Sequence, residues 1–580
     1  MPEHQPAPVG VVGLGALGEP LLRTLAAAGL EVIGVDNDAD VVADVAKRLA
    51  KSPPVRAEGG APEVVLASRI DAVAPARAVI EAVPEHRSTK REVLRRINTV
   101  CSAETVVVTT TTGLSVVELA IASGRPARTV GLRFFSPPPG KGAAAPVDTT
   151  ACAADALAVL DELLRALGTE SFHTHPRAAR VAEQLVFGYL DRAVRLLDEG
   201  YATREDIDTA MRLGCGLPTG PLELLDLVGL EHAHQVLTAR HNRTGARRPA
   251  GSLERLRAAG HRGRTSGRGF YPYTAGGERA LEADAGRAGA QRSGPAVRRV
   301  GVLGSGVMAR GVAEVTAKAG LATVLRARDR NRADQAVEAV GGSLRKAVRR
   351  GRVTAEARDA ALGRLEPADD LAALSDCDLV IEALCEDITV KVGAFAALDG
   401  VAQPGAVLAS TTSSLPVAEL AAATRRPEAV VGLHFFNPAP VMRLVEVSRT
   451  EHTADGVLDT AHRFCARLGK TAVDCTDRAG FIVNFLLLPY LNDAAAALVS
   501  DEADVAEIDT AVRRGFGFPM GPFTLLDTIG LDVALAIQRR LHEHFGDPAL
   551  APAAPLEQLV AAGQLGSKTG AGFRRVEPRR

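Results

Sequence analysis

The chain is written twice. EAVPE at 81–85 returns as EALCE at 382–386, an offset of 301 (382 − 81). GLRFFSPPP at 131–139 returns at the same offset as GLHFFNPAP. The long run from Ile207, IDTAMRLGCGLPTGPLELLDLVGL, returns from Ile508 as IDTAVRRGFGFPMGPFTLLDTIGL. AGL at 28–30 returns at 319–321, an offset of 291, so the first copy is ten residues shorter between Leu30 and Glu81. A unit of about 270 residues is far longer than the ~20–45 of a solenoid repeat. It is the length of a whole protein, duplicated.

Each copy divides again. Its first part alternates short β-rich runs with amphipathic stretches, the pattern of a parallel sheet wound by crossover helices. The strand candidates are VGVVGLG, EVIGVD, AVIEAV, TVVVTTT and TVGLRFF in the first copy. RVGVLGSG, ATVLRA, LVIEAL, AVLAST and VVGLHFF are their equivalents in the second. The last ~95 residues of each copy lack such runs and read as helical; Thr203 with Asp206 three residues on suits a helix start. The expected architecture is α/β plus all-α: a Rossmann-like doubly wound domain at 8–175 with a helical domain at 176–273, then a Rossmann-like domain at 297–477 with a helical domain at 478–575. The Gly- and Ala-rich stretch 274–296 between them reads as a linker.

Composition narrows the function. Lys+Arg 68 against Asp+Glu 69 leaves no basic surplus for nucleic acid. Seven cysteines without a Cys-x-x-Cys pair speak against a disulfide framework or a zinc site, so no metal is expected. The opening MPEHQPAPVG lacks a basic-then-apolar segment, and the most apolar stretch, Phe481 to Leu491, is too short to cross a bilayer and contains Asn484 and Pro489. The expectation is a cytoplasmic, soluble, multidomain protein without membrane or nucleic-acid partners.

The glycine turns point to a dinucleotide. In the first copy a strand-like VGVV runs into Gly13, Gly15 and Gly18, then a helix, and Asp36 ends the next strand 23 residues after Gly13. Such glycines permit the tight turn, the approach of backbone to pyrophosphate and close helix–strand packing, and the carboxylate suits ribose hydroxyls. The second copy has Gly304, Gly306, then Ala309 at the third position with Gly311 just after. Ala327 stands where Asp36 stands, inside Arg326-Ala327-Arg328-Asp329-Arg330-Asn331-Arg332. A missing carboxylate among guanidinium groups is what a 2′-phosphate needs, with Arg328 the chosen contact. The same cluster also suits a solvated helix start.

At GLHFFNPAPVMRLVEV the second copy resembles the 3-hydroxyacyl-CoA dehydrogenase family, above all its 3-hydroxybutyryl-CoA dehydrogenases. VIEALCEDITVK, STTSSLPV, DRAGFIVNFLL, GFPMGPF and SKTGAGF carry the same resemblance, which spans nearly the whole chain as two fused units. On the residues alone, His434 is equally a base for alcohol oxidation or a packed strand-end histidine. The resemblance implies that it is the base, with Glu446 its acidic partner. It also implies that Asn484 and Ser413 contact substrate near the reacting carbonyl and that Asn437 holds His434 or its loop. Glu386 and Lys391 match the family's contacts to the cofactor ribose and its surroundings, and the first copy keeps both as Glu85 and Lys90. Thr411 departs from the family, which often has Asn there.

The first copy has lost these groups. Arg133 replaces His434 and stays protonated at physiological pH. Ala145 replaces Glu446, Ser136 replaces Asn437, Glu183 replaces Asn484 and Thr112 replaces Ser413. The expected enzyme therefore interconverts a short-chain (3S)-3-hydroxyacyl-CoA and its 3-oxoacyl form through the second copy alone. It uses NAD, by family resemblance, or NADP, by the arginine cluster. The first copy serves as an intramolecular pseudo-subunit, and a further homodimer stays open. Two alternatives remain at this stage: the same reaction on an acyl-carrier-protein thioester, or a non-catalytic dinucleotide-binding regulator.

Overall fold

The computed structural model describes residues 7–54, 63–111, 114–134, 143–147, 152–171, 175–274, 278–280, 294–500 and 504–575. Ser136, Thr112 and most of the expected linker lie outside them. In the first copy eight strands form one sheet: β1 (Val9–Val12), β2 (Val32–Val35), β3 (Val64–Ala67), β4 (Ala78–Glu81), β5 (Val106–Thr109), β6 (Thr129–Phe134), β7 (Ala143–Val147) and β8 (Glu170–Ser171), in the order 3-2-1-4-5-6-7-8. The second copy repeats that order with β9 (Arg299–Leu303), β10 (Ala322–Arg326), β11 (Leu365–Ala368), β12 (Leu379–Glu382), β13 (Val407–Ser410), β14 (Val430–Phe435), β15 (Leu444–Arg449) and β16 (Thr471–Thr476). Adjacent strands are parallel except that β7 runs against β6 and β15 against β14. Continuous apolar runs such as VGVV are buried at every residue, as expected of a sheet covered on both faces.

The helices that matter for the site are α1 (Gly18–Ala27), α2 (Pro176–Asp198), α3 (Arg204–Cys215), α4 (Leu230–Thr244), α5 (Val307–Lys318), α6 (Val483–Ser500), α7 (Val505–Phe516) and α8 (Leu531–Phe545). Thr203 starts α3 by accepting from the Asp206 amide at 3.1 Å, and Gly216 ends it in the left-handed region (φ 69°) that glycine adopts freely.

The helical regions of the two copies share one core. Phe187 and Tyr189 of α2 meet Phe516 of α7 and Tyr490 of α6 at ring separations of 6.1 and 5.8 Å, and Arg192 bonds Asp493 at 2.6 Å. Each large apolar side chain buried there contributes about 1.5–3 kcal/mol.

The segment after Tyr273 does not leave the first copy at once: Tyr273 pairs with Arg279, Ala280 donates to the Pro272 carbonyl, and the Arg279 guanidinium lies 3.6 Å from the Tyr271 ring centroid. Residues 278–280 thus fold back on the helical region, where the negative π face of Tyr271 attracts the Arg279 cation. Among the described residues no helix is long and apolar enough to cross a membrane, and no cluster of His, Cys, Asp and Glu could hold a metal ion.

Candidate active site

β14 and β15 place His434 directly opposite Glu446. His434 Nδ1 lies 2.7 Å from Glu446 Oε2, and Glu446 Oε1 accepts the amides of Ile482 and Val483 at 3.0 and 2.9 Å. A carboxylate can only accept, so Nδ1 carries the proton and Nε2 keeps its lone pair. Glu446 has no exposure and His434 only 6 %. Phe481 turns the chain into α6 at φ 46°, a conformation costly for a side-chain-bearing residue, which the two amide bonds to Glu446 help to hold. The Phe436 and Phe481 rings flank the imidazole at 4.6 and 5.5 Å.

Asn484, next on α6, reaches the Ser413 carbonyl at 3.5 Å, and the Ser413 amide donates to Glu386 at 2.8 Å. His434, Glu446, Asn484, Ser413 and Glu386 are therefore one continuous set of neighbours. Glu386 also accepts from the Thr412 hydroxyl at 2.8 Å and the Ser414 amide at 3.1 Å, so it organises the TTSS turn. Burial alone would raise its carboxyl; the Lys391 ammonium, Thr412, the Ser413 amide and Arg540 together hold it below the usual carboxylate range.

Four further expected residues have the following surroundings. Lys391, expected near the cofactor ribose and its surroundings, has its ammonium buried on Glu382 at 2.7 Å and 3.6 Å from Glu386. Lys90 does the same in the first copy, on Glu81 at 2.8 Å with Glu85 3.8 Å away. The reason is helical placement: each lysine points inward from its helix under the end of the preceding strand. Gly311 faces away from the glycine turn, where an added Cβ would meet the Ala439 Cβ at 3.1 Å; it lets α5 pack on the loop after β14. Asn437 is exposed, and the His434 ring is oriented by its bond to Glu446.

The glycine turns fit a dinucleotide. Gly13 (φ 95°) and Gly304 (φ 136°) leave no room for a side chain against the carbonyls of Ala82 and Ala383. Gly15 and Gly306 face open space, and a Cβ on Gly18 would fall 1.7 Å from the Gly13 carbonyl. Ala309 is fully buried at that third position in the second copy. Asp36 accepts the Leu14 amide at 2.8 Å, which holds its carboxylate beside the first turn. Ala327 is buried at the matching place, while the Arg328 side chain is 71 % exposed and 3.5 Å from Asp329. Arg330 and Arg332 pair with Asp334 and Asp329.

In the first copy a cleft of about 990 Å³ is lined by Gly13, Gly15, Asp36, Glu85, Arg133 and His232 among others. Arg133 lies opposite Ala145, as His434 lies opposite Glu446, but its Nη1 donates across the domain to Glu183 of α2 at 3.2 Å.

The first copy also reaches the second copy's site. Gly214 of α3 lies under Val483 and Leu444: a Cβ there would meet their methyl groups at 2.9 and 3.1 Å. Burial and the charge of Glu446 push the neighbouring Cys215 thiol up to about 12. The Tyr201 hydroxyl donates to the Thr476 carbonyl at 2.8 Å, and Arg478 stacks on the Tyr201 ring at 4.1 Å.

Sequence reasoning did not single out Arg540 of α8, which donates to the Ser414 hydroxyl at 2.7 Å and the Glu386 carbonyl at 2.8 Å. The available signal was its replacement by Ala239 at the 301 offset. Gly214, Cys215 and Tyr201 were missed because no pattern within the second copy refers to them.

Residues 8–174 and 299–478 each match the family described as 3-hydroxyacyl-CoA dehydrogenase, NAD binding domain, and residues 181–273 and 480–576 match its C-terminal domain. The chain is 46 % identical over 287 residues to a Mycobacterium tuberculosis 3-hydroxybutyryl-CoA dehydrogenase, covering 48 % of this chain and 98 % of that protein. It is 41 % identical over 277 residues to an Escherichia coli 3-hydroxyadipyl-CoA dehydrogenase, covering 48 % of this chain and 58 % of that protein. The crystal structure of an Escherichia coli 3-hydroxybutyryl-CoA dehydrogenase matches 96 % of this chain and 99 % of its own at TM-score 0.55 and 21 % identity, a likeness of fold.

Proposed function

Because the chain belongs to the 3-hydroxyacyl-CoA dehydrogenase family, we propose that it interconverts short-chain 3-hydroxyacyl-CoA and 3-oxoacyl-CoA at the C-terminal copy. The observation that carries this reading is the buried His434–Glu446 pair at 2.7 Å, whose sequence counterparts in the first copy are an arginine and an alanine. It is an oxidoreductase acting on CH–OH groups, and its cofactor is a nicotinamide dinucleotide.

The mechanism follows from the dyad. Glu446 fixes the tautomer, so Nε2 of His434 accepts the hydroxyl proton in oxidation and returns it to the carbonyl oxygen in reduction. The charge that forms on the imidazole lies beside the carboxylate and is stabilised there. Asn484 and Ser413 contact the substrate near the reacting carbonyl, while Glu386 and Arg540 keep the Ser413 turn in place. Gly304 and Gly306 would hold the dinucleotide, which supplies the hydride acceptor or donor. With Ala327 replacing the ribose-binding acid and Arg328 beside it, the C-terminal copy prefers NADPH. The first copy, with Gly13, Gly15, Gly18 and Asp36, holds NAD without turnover.

The first copy also acts as a built-in partner subunit. Its Gly214, Cys215 and Tyr201 support the segment that positions Glu446, and the covalent link keeps this surface at high effective concentration. A spectrophotometric assay with acetoacetyl-CoA, comparing NADPH with NADH, tests the reading. Cofactor oxidation that depends on the thioester is expected; its absence with both cofactors would overturn the proposal.

A further inference from the structure

Three replacements at the inner end of the N-terminal cleft belong together. Arg133 stands where the second copy has His434, Glu183 where it has Asn484, and His232 where it has Val533. Arg133 and Glu183 form an ion pair at 3.2 Å with side chains only 6 and 3 % exposed. His232 Nε2 stands 3.8 Å from the other Glu183 oxygen, and its ring packs edge-on against Phe187 at 5.5 Å. A buried charge stripped of its partner destabilises strongly, and apolar residues of similar volume fill such a place at less cost. Arginine for histidine is therefore tolerable here because glutamate replaced asparagine with it.

The cleft itself is retained. Arg133 and His232 line the same cavity of about 990 Å³ as the glycine turn and Asp36. A guanidinium has donors and no acceptor, so it cannot take up a hydroxyl proton, but it suits a carbonyl or carboxylate oxygen. Burial pushes His232 down to about 4, so it adds no second cation near neutral pH. Burial also raises Glu183 to about 7, against the pull of Arg133.

We propose that the N-terminal copy is a second, non-turnover ligand site, in which Arg133 holds the carbonyl or carboxylate oxygen of a short 3-oxoacyl ligand beside the dinucleotide. The inference rests on the acyl-thioester reading of the C-terminal site and adds a second equivalent of ligand per chain. The oxygen comes either from an acyl-CoA thioester or from a free 3-oxo acid, and separate titrations distinguish them.

The test is isothermal titration of the full-length chain with acetoacetyl-CoA and, separately, with acetoacetate. Saturating NAD⁺ is present, so that the oxo ligand is not reduced. Two equivalents of acetoacetyl-CoA, or one of acetoacetate beside one of acetoacetyl-CoA, are expected. The extra equivalent should disappear in Arg133→Met. If that variant does not fold, the neutral pair Arg133→Met/Glu183→Gln gives the same comparison. One equivalent of acetoacetyl-CoA with normal turnover and none of acetoacetate would overturn the inference alone, and the ion pair would then be a structural plug. An extra equivalent that persists in both variants would also overturn it. A wild-type chain that neither binds nor reduces acetoacetyl-CoA would overturn the functional reading beneath it.

Discussion

Glu446 joins two elements through one carboxylate: Oε2 meets His434 Nδ1 at 2.7 Å on the neighbouring strand, and Oε1 takes two amides at the start of α6. The orientation of the imidazole thus depends on where the helical domain begins. Glu446→Gln keeps the shape and the amide contacts but presents an NH₂ group to His434, reversing the tautomer. Turnover should fall by about two to four decades with little change in melting temperature. Measuring kcat beside a thermal melt checks this; an equal loss of stability and activity would mean that the pair is structural.

Gly214 carries the link between the copies. Gly214→Val places methyl groups where Val483 and Leu444 already stand. Because the Val483 amide holds Glu446, kcat should drop roughly tenfold or more, overpacking should cost about 1–3 kcal/mol, and the pH–rate profile should shift. A variant in the first copy that left kcat and its pH profile intact would sever the proposed support.

Cofactor choice is tested at the end of β10. Ala327→Asp together with Arg328→Gln should move the kcat/KM ratio from NADPH towards NADH by about one to two decades, the worth of one charge-assisted contact. The exposure of Arg328 makes it easily removed without disturbing the core. A wild-type enzyme already more efficient with NADH would leave the arginine cluster as a solvated surface.

Folded Glu183 keeps its proton up to about pH 7, whereas an ordinary carboxyl releases it near 4.5. Its contribution to stability is therefore complete below pH 4.5 and is lost as pH rises to 7. Glu183→Gln does not titrate, so the melting temperature of the wild type should fall by a few degrees relative to this variant between pH 5 and 7.5. A constant difference across that range would place the Glu183 pKa at its ordinary value.

The duplication, the sheet architecture and the dyad were legible because each leaves a mark in the chain: repeated words, continuous apolar strands, and a histidine and glutamate in matching motifs. β3, β7, β8 and their equivalents were not foreseen. β11 contains Pro367 and β7 contains Pro146, which weaken the strand pattern, and β15 was hidden although it carries Glu446. The motifs around Lys391 and Asn437 give proximity without direction. Only packing shows that the lysine faces a buried glutamate. The surface that Gly214 presents to Val483 joins residues of different copies, and no periodicity within one copy encodes such a contact.

If His434 alone supplies the base for the whole chain, full-length His434→Gln should show it in steady-state reduction of acetoacetyl-CoA. Turnover should fall by about two to four decades, while the variant still binds the thioester and melts within a few degrees of the wild type. A variant that kept more than a tenth of wild-type kcat would contradict the account, since proton transfer would then come from another residue.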